Sequence, residues 1–165
     1  MTIREDIEAH LGSRQVARVL YGSIIGLALV VALQAHPPAA GTVAASLVAT
    51  AIAVGLAELY SEYVGAEART RRRVDRAQFG EIYSEVGAVV LGVAFPAVFF
   101  LLSVLGVMEV DTAFAFAKWT GLALIGFYGF AAGRYAGAPV SRALLQGAGA
   151  APIGAALIAF KALVH

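Results

Sequence analysis

Five apolar runs separated by short polar breaks occupy nearly all of this sequence, at about residues 16–35, 42–64, 80–106, 113–133 and 142–164. Each has roughly the 20 residues that an α-helix needs to cross the hydrocarbon core of a bilayer. Of the 165 residues, 60% are hydrophobic and 14% charged, too few polar groups for the surface of a water-soluble domain of this size. The expected fold is therefore all-α: a single membrane domain over residues 1–165, an integral bundle of five transmembrane helices. The first run is longer than the apolar core of a signal peptide. The residues ahead of it mix Arg4, Arg14 and Arg18 with Glu5, Asp6 and Glu8, so it is read as a retained span.

The breaks carry their own signals. Thr2 and Glu5 have the spacing of a capping box, and Ile3, Ile7 and Leu11 recur every fourth residue, which predicts a short amphipathic helix over residues 1–15, lying on the membrane surface or, as the favoured reading, covering the inner end of the bundle. His36, Pro37 and Pro38 stop the first span, and Pro96 predicts a kink near the middle of the third. Ala66 to Gln78 reads as a polar linker holding Arg69, Arg71, Arg72, Arg73 and Arg76. Glu109 and Asp111 close the third span, and Gly137, Ala138 and Pro139 make the turn into the fifth.

Orientation follows from the basic residues. The N-terminal segment, the arginine linker and the Arg134/Arg142 loop hold ten of the twelve Lys and Arg residues, and five spans put all three on one side. The N-terminus is expected in the cytoplasm and the C-terminus outside, in a multi-pass protein of a bacterial cytoplasmic membrane. Gly22 and Gly26, and then Gly129, Gly133 and Gly137, form small-residue stripes that let helices approach closely in lipid. Contacts within one subunit are the favoured use of them.

The anomaly is a duplicated hexapeptide, Glu58-Leu59-Tyr60-Ser61-Glu62-Tyr63 at the inner end of the second span and Glu81-Ile82-Tyr83-Ser84-Glu85-Val86 at the start of the third. Each copy sets two carboxylates one helical turn apart on one face. In an antiparallel hairpin closed by a short linker, Glu62 falls level with Glu81 and Glu58 with Glu85, so four carboxylates converge at the cytoplasmic mouth. An ionised acid inside the apolar zone must be paired, protonated or hydrated, which makes it a functional candidate. Clustered oxygen ligands suit iron(II) or manganese(II), whereas the lack of cysteine and of paired histidines argues against tetrahedral zinc. Glu58, Glu62, Glu81 and Glu85 are thus candidate metal ligands. The competing reading is an interfacial ion-pair network in which the linker arginines, Arg18 and Arg134 neutralise these acids.

No nucleotide-binding loop, zinc-protease helix or nucleophile elbow occurs, so no enzyme is expected, and the overall charge of +1 gives no argument for nucleic acid. The chain resembles the vacuolar iron transporter family from Val19 onward. Ser61-Glu62-Tyr63-Val64-Gly65 is similar to that family's signature ending the second span, and Leu91-Gly92-Val93-Ala94-Phe95-Pro96 to its third-span pattern of small residues before a proline. Gly126 through Gly137, Ser141 to Gln146 and Gly147 to Ala151 resemble its last two spans. The resemblance implies five helices, a homodimer, movement of iron(II) or manganese(II) out of the cytosol, and a transport-path role for Glu62. The chain departs from the family in three places. Leu20-Tyr21-Gly22-Ser23-Ile24-Ile25-Gly26 carries no first-span acid, the metal-binding insertion between spans two and three is missing, and Glu58 stands where methionine is common.

The expected function is accordingly divalent metal transport, with the ion as cargo and no permanently bound cofactor. The alternative is a non-transporting structural or partner-binding membrane protein of the same fold.

Overall fold

Among the described residues, prolines mark three of the five breaks between helices. In the computed structural model, which describes residues 14–149 and Pro152, the first apolar run forms α1 (Arg14–Leu33) and stops before His36, Pro37 and Pro38. α2 (Ala40–Thr70) starts only after them, because a proline cannot donate to the preceding turn and turns its neighbour away from helical angles. Pro96 divides the third run into α3 (Arg76–Ala94) and α4 (Ala97–Val104), whose axes meet at 47°. After a turn through Gly106, at φ 75°, comes α5 (Val110–Tyr135), and after a second through Gly137, at φ 76°, α6 (Val140–Ala148).

Among the described residues the protein is all-helical, and three of its helices, α1 from Val16, α2 and α5, are long and apolar enough to cross a membrane. The bent pair α3–α4 counts as a fourth if taken as one span. The expected fifth span begins in α6 and continues outside the described residues. The expected N-terminal amphipathic helix also lies outside them, except that Arg14 and Gln15 open α1.

The arginine linker is shorter than its composition suggests. Ala66, Glu67 and Ala68 are good helix formers and carry α2 on to Thr70. Arg71 then closes the helix in the left-handed region, φ 53°, its N–H donating to the Glu67 carbonyl at 2.8 Å. Asp75 caps α3: its carboxylate accepts from the Gln78 N–H at 2.9 Å, and the Gln78 side chain accepts from the Asp75 N–H at 3.4 Å. Only residues 71–75 remain as the connection.

α1 lies parallel to α3 and packs on it more closely than on α2, its neighbour in sequence. The contact is in register: Arg18 meets Glu85, Gly22 meets Val89 and Gly26 meets Val93. A Cβ added at Gly26 would stand 2.9 Å from the Val93 carbonyl oxygen, and one at Gly92 would stand 2.7 Å from that of Val19. Backbone touches backbone here, so neither position accepts a side chain. Gly129 and Gly133 bring α6 onto α5 in the same way, against Ala143, Gln146 and Gly147. Gly22, Gly26, Gly129 and Gly133 thus serve close packing within the chain, whereas Gly137, expected in the second stripe, lies in the turn with nothing among the described residues packed against it. At the end of the bundle near Pro38, Val30, Val43, Leu47, Phe100 and Phe114 form a fully buried core, with the two rings edge to face at 4.8 Å.

Candidate functional site: three carboxylates around one arginine

Three helical faces converge at the other end of the bundle, beside the arginine turn. On α1, Arg18 stands one turn before Gly22 and so shares the face that packs on α3. On α2, Glu58 and Glu62 continue the stripe of the buried Ala51 and Gly55. On α3, Glu85 precedes the buried Val89 by one turn. The packing that buries the apolar members of each stripe brings the charged members together.

The guanidinium of Arg18 joins all three acids. Its Nη1 donates to Glu58 Oε2 at 2.8 Å, and its Nη2 donates to Glu62 Oε1 and, at 3.3 Å, to Glu85 Oε2. The four side chains are between 17% and 26% exposed, so the cluster is largely withdrawn from its surroundings. Arg69, far more exposed, reaches the second oxygen of Glu62 at 3.5 Å. Arginine suits this role: its five donors lie in a planar fork, it stays charged, and it gives up its hydration more readily than lysine. Among the described residues these ion pairs join three carboxylates to two guanidiniums.

The four sequence candidates therefore divide three to one. Glu58, Glu62 and Glu85 come together, while Glu81 is exposed and has no part in the Arg18 network. The longer α2 explains the division. Gly55 faces Val90 across the hairpin, a register that puts Glu85 between Glu58 and Glu62 and leaves Glu81 level with Val64. The expected pairing of Glu62 with Glu81 rested on a linker that began several residues earlier. Among the described residues no three His, Asp or Glu side chains converge closely enough to hold a metal ion. The space between the oxygens of Glu58, Glu62 and Glu85 is where the guanidinium lies.

Sequence reasoning set Arg18 among several possible neutralising arginines and did not single it out. The signal was present: Arg18, Gly22 and Gly26 form one stripe, and a cation at the head of a close-packing stripe must face the partner helix. Of the neighbouring tyrosines, Tyr63 donates to Glu67 at 3.1 Å, and Tyr60 and Tyr83 are exposed. Among the described residues no buried side-chain nitrogen or oxygen lacks a partner.

A mainly apolar groove of about 660 Å³ opens between α1, α3 and α5, beginning at Val19 and Ser84 and running past Gly92 and Tyr128 to Val98. None of the three acids lines it. No protein-family model matches the chain, and no curated protein or solved structure does either.

Proposed function

We propose that the chain is a five-span protein of a bacterial cytoplasmic membrane, its N-terminus in the cytoplasm, in which Arg18 clamps α1, α2 and α3 together. In this reading it is a non-transporting structural or partner-binding membrane protein. The observation that supports it is the single guanidinium bonded to Glu58, Glu62 and Glu85 at once. A cation bound by these acids would have to displace an arginine tethered to the same chain, and losing one partner from a buried ion pair costs about 3–5 kcal/mol. Burial of the three acids is then accounted for without a cargo.

A second reading has an observation in its favour. Three carboxylates are gathered within an apolar bundle, and intramembrane acids are a mark of an ion path. Together with the resemblance to vacuolar iron transporters, this supports iron(II) or manganese(II) transport by a homodimer, with Arg18 as a counter-ion that moves aside.

One double substitution separates the two readings. Glu58→Gln with Glu62→Gln keeps the side-chain volumes and removes two charges. For the clamp, thermal stability in detergent falls and the purified protein carries no iron(II) or manganese(II) flux in reconstituted vesicles before or after the change. For the transporter, the unmodified protein carries a flux that the change abolishes, and stability holds or rises as like charges are removed. Membrane topology is checked separately with single cysteines. One near Arg72 should be protected from an impermeant reagent in intact cells and one near Asp111 should react, and the reverse pattern would reject the orientation.

A further inference from the structure

The cluster around Arg18 leaves most of the arginines at this end unused. Arg71, Arg72, Arg73 and Arg76 are all exposed, and none has a carboxylate partner among the described residues. Asp75, the acid among them, is engaged by the backbone N–H of Gln78. Four guanidiniums against one carboxylate leave a formal charge of +3 on residues 71–76.

The turn is shaped as well as charged. The Thr70 hydroxyl donates to the Ala66 carbonyl at 2.8 Å and accepts from the Arg72 N–H at 3.3 Å, which fixes the chain as it leaves α2. The capping box fixes it again as it enters α3. Between these two anchors Thr70, Arg72, Arg73, Asp75 and Gln78 line a polar cleft of about 390 Å³. Tyr63, two turns before Thr70 on α2, and Phe79, next to Gln78 on α3, are exposed. Aromatic side chains at the ends of apolar spans sit at headgroup depth, and the phosphates of a bilayer lie at the same level.

We propose that the Arg71–Arg76 turn is a binding surface for the phosphate headgroups of anionic lipids, with Arg72 and Arg73 taking a phosphate in the cleft and Arg71 and Arg76 adding charge around it. Unpaired guanidiniums match phosphate oxygens in geometry and charge, and a basic turn directly at the end of a membrane span is held against the lipid surface. The inference rests on the membrane reading of the chain. It is independent of whether the chain transports an ion.

The full-length protein, delipidated in neutral detergent, is titrated with short-chain phosphatidylglycerol, phosphatidylcholine and inorganic phosphate, and bound molecules are counted by native mass spectrometry. Phosphatidylglycerol should bind roughly tenfold or more tightly than phosphatidylcholine, and the preference should weaken with salt. Changing Arg71, Arg72, Arg73 and Arg76 together to Gln should remove it with the detergent melting temperature unchanged. Should that variant misfold, Arg72→Gln with Arg73→Gln alone should still lower the preference. Equal binding of the two lipids, or a preference that survives both variants, overturns the proposal. Inorganic phosphate competing at the lipid's own concentration assigns the cleft to free phosphate and overturns the lipid. Retention of the unmodified protein in carbonate-washed membranes tests the membrane reading by itself, so failure of one is not taken for failure of the other.

Discussion

The two ends of the bundle are held by different physics. Near Pro38, α1, α2, α4 and α5 meet through Val30, Val43, Leu47, Phe100 and Phe114, all fully buried and all apolar. Near the arginine turn, α1, α2 and α3 meet through one guanidinium and three carboxylates that are partly exposed. An apolar core surrounded by lipid gains little from hydrophobic burial, because lipid tails are as apolar as the side chains it would release. In the proposed membrane reading its stability comes from close packing. The charged end depends on pairing, since each ion left alone there is costly. The first arrangement tolerates gradual erosion, and the second is sensitive to the loss of a single group.

The largest effect should therefore come from Arg18→Gln, which takes from three acids the guanidinium they share. We expect a loss of about 3 kcal/mol, the lower end of the cost of breaking a buried pair because this cluster is partly exposed, read as a drop in unfolding midpoint in detergent. A variant as stable as the unmodified protein would remove the clamp from the account. Phe100→Ala at the opposite end should cost about 2 kcal/mol, less than the ~3–5 of a water-soluble core, because the lost contribution is packing and not transfer from water. A loss larger than that of Arg18→Gln would reverse the ranking of the two ends.

Smaller changes sharpen the comparison within the charged end. Glu85→Gln removes the most distant of the three partners of Arg18, at 3.3 Å, so its cost should be about 1 kcal/mol. Arg69→Gln breaks an exposed contact of 3.5 Å and should change stability by no more than about 0.5 kcal/mol, and that only at low salt. If Arg69→Gln proves as damaging as Arg18→Gln, the cluster is centred on the wrong arginine.

The sequence disclosed helices better than it disclosed partners. Apolar length, the proline pair after His36 and the lone Pro96 give the breaks that the structure has, because these depend on local chemistry. The polar run from Ala66 to Thr70 resembles a linker, although its helix-forming alanines carry the helix through it. The longer helix shifts the hairpin register and sets Glu81 level with Val64 in place of the expected Glu62. The anomalous acids Glu58, Glu62 and Glu85 were visible as candidates. Their engagement with Arg18 depends on α1 packing against α3, a contact between elements far apart in sequence, and only the glycine stripe hinted at it.

The most direct test of the clamp asks whether removing the acids repairs the loss of the arginine. Unfolding midpoints in detergent are compared for Arg18→Gln alone and for Arg18→Gln combined with Glu58→Gln and Glu62→Gln. If the acids are buried in order to bind Arg18, the triple variant removes two of the three charges that lost it and should recover most of the stability lost in the single one. If the triple variant melts at or below the single variant, the acids and the arginine contribute independently, and the cluster is not the clamp described here.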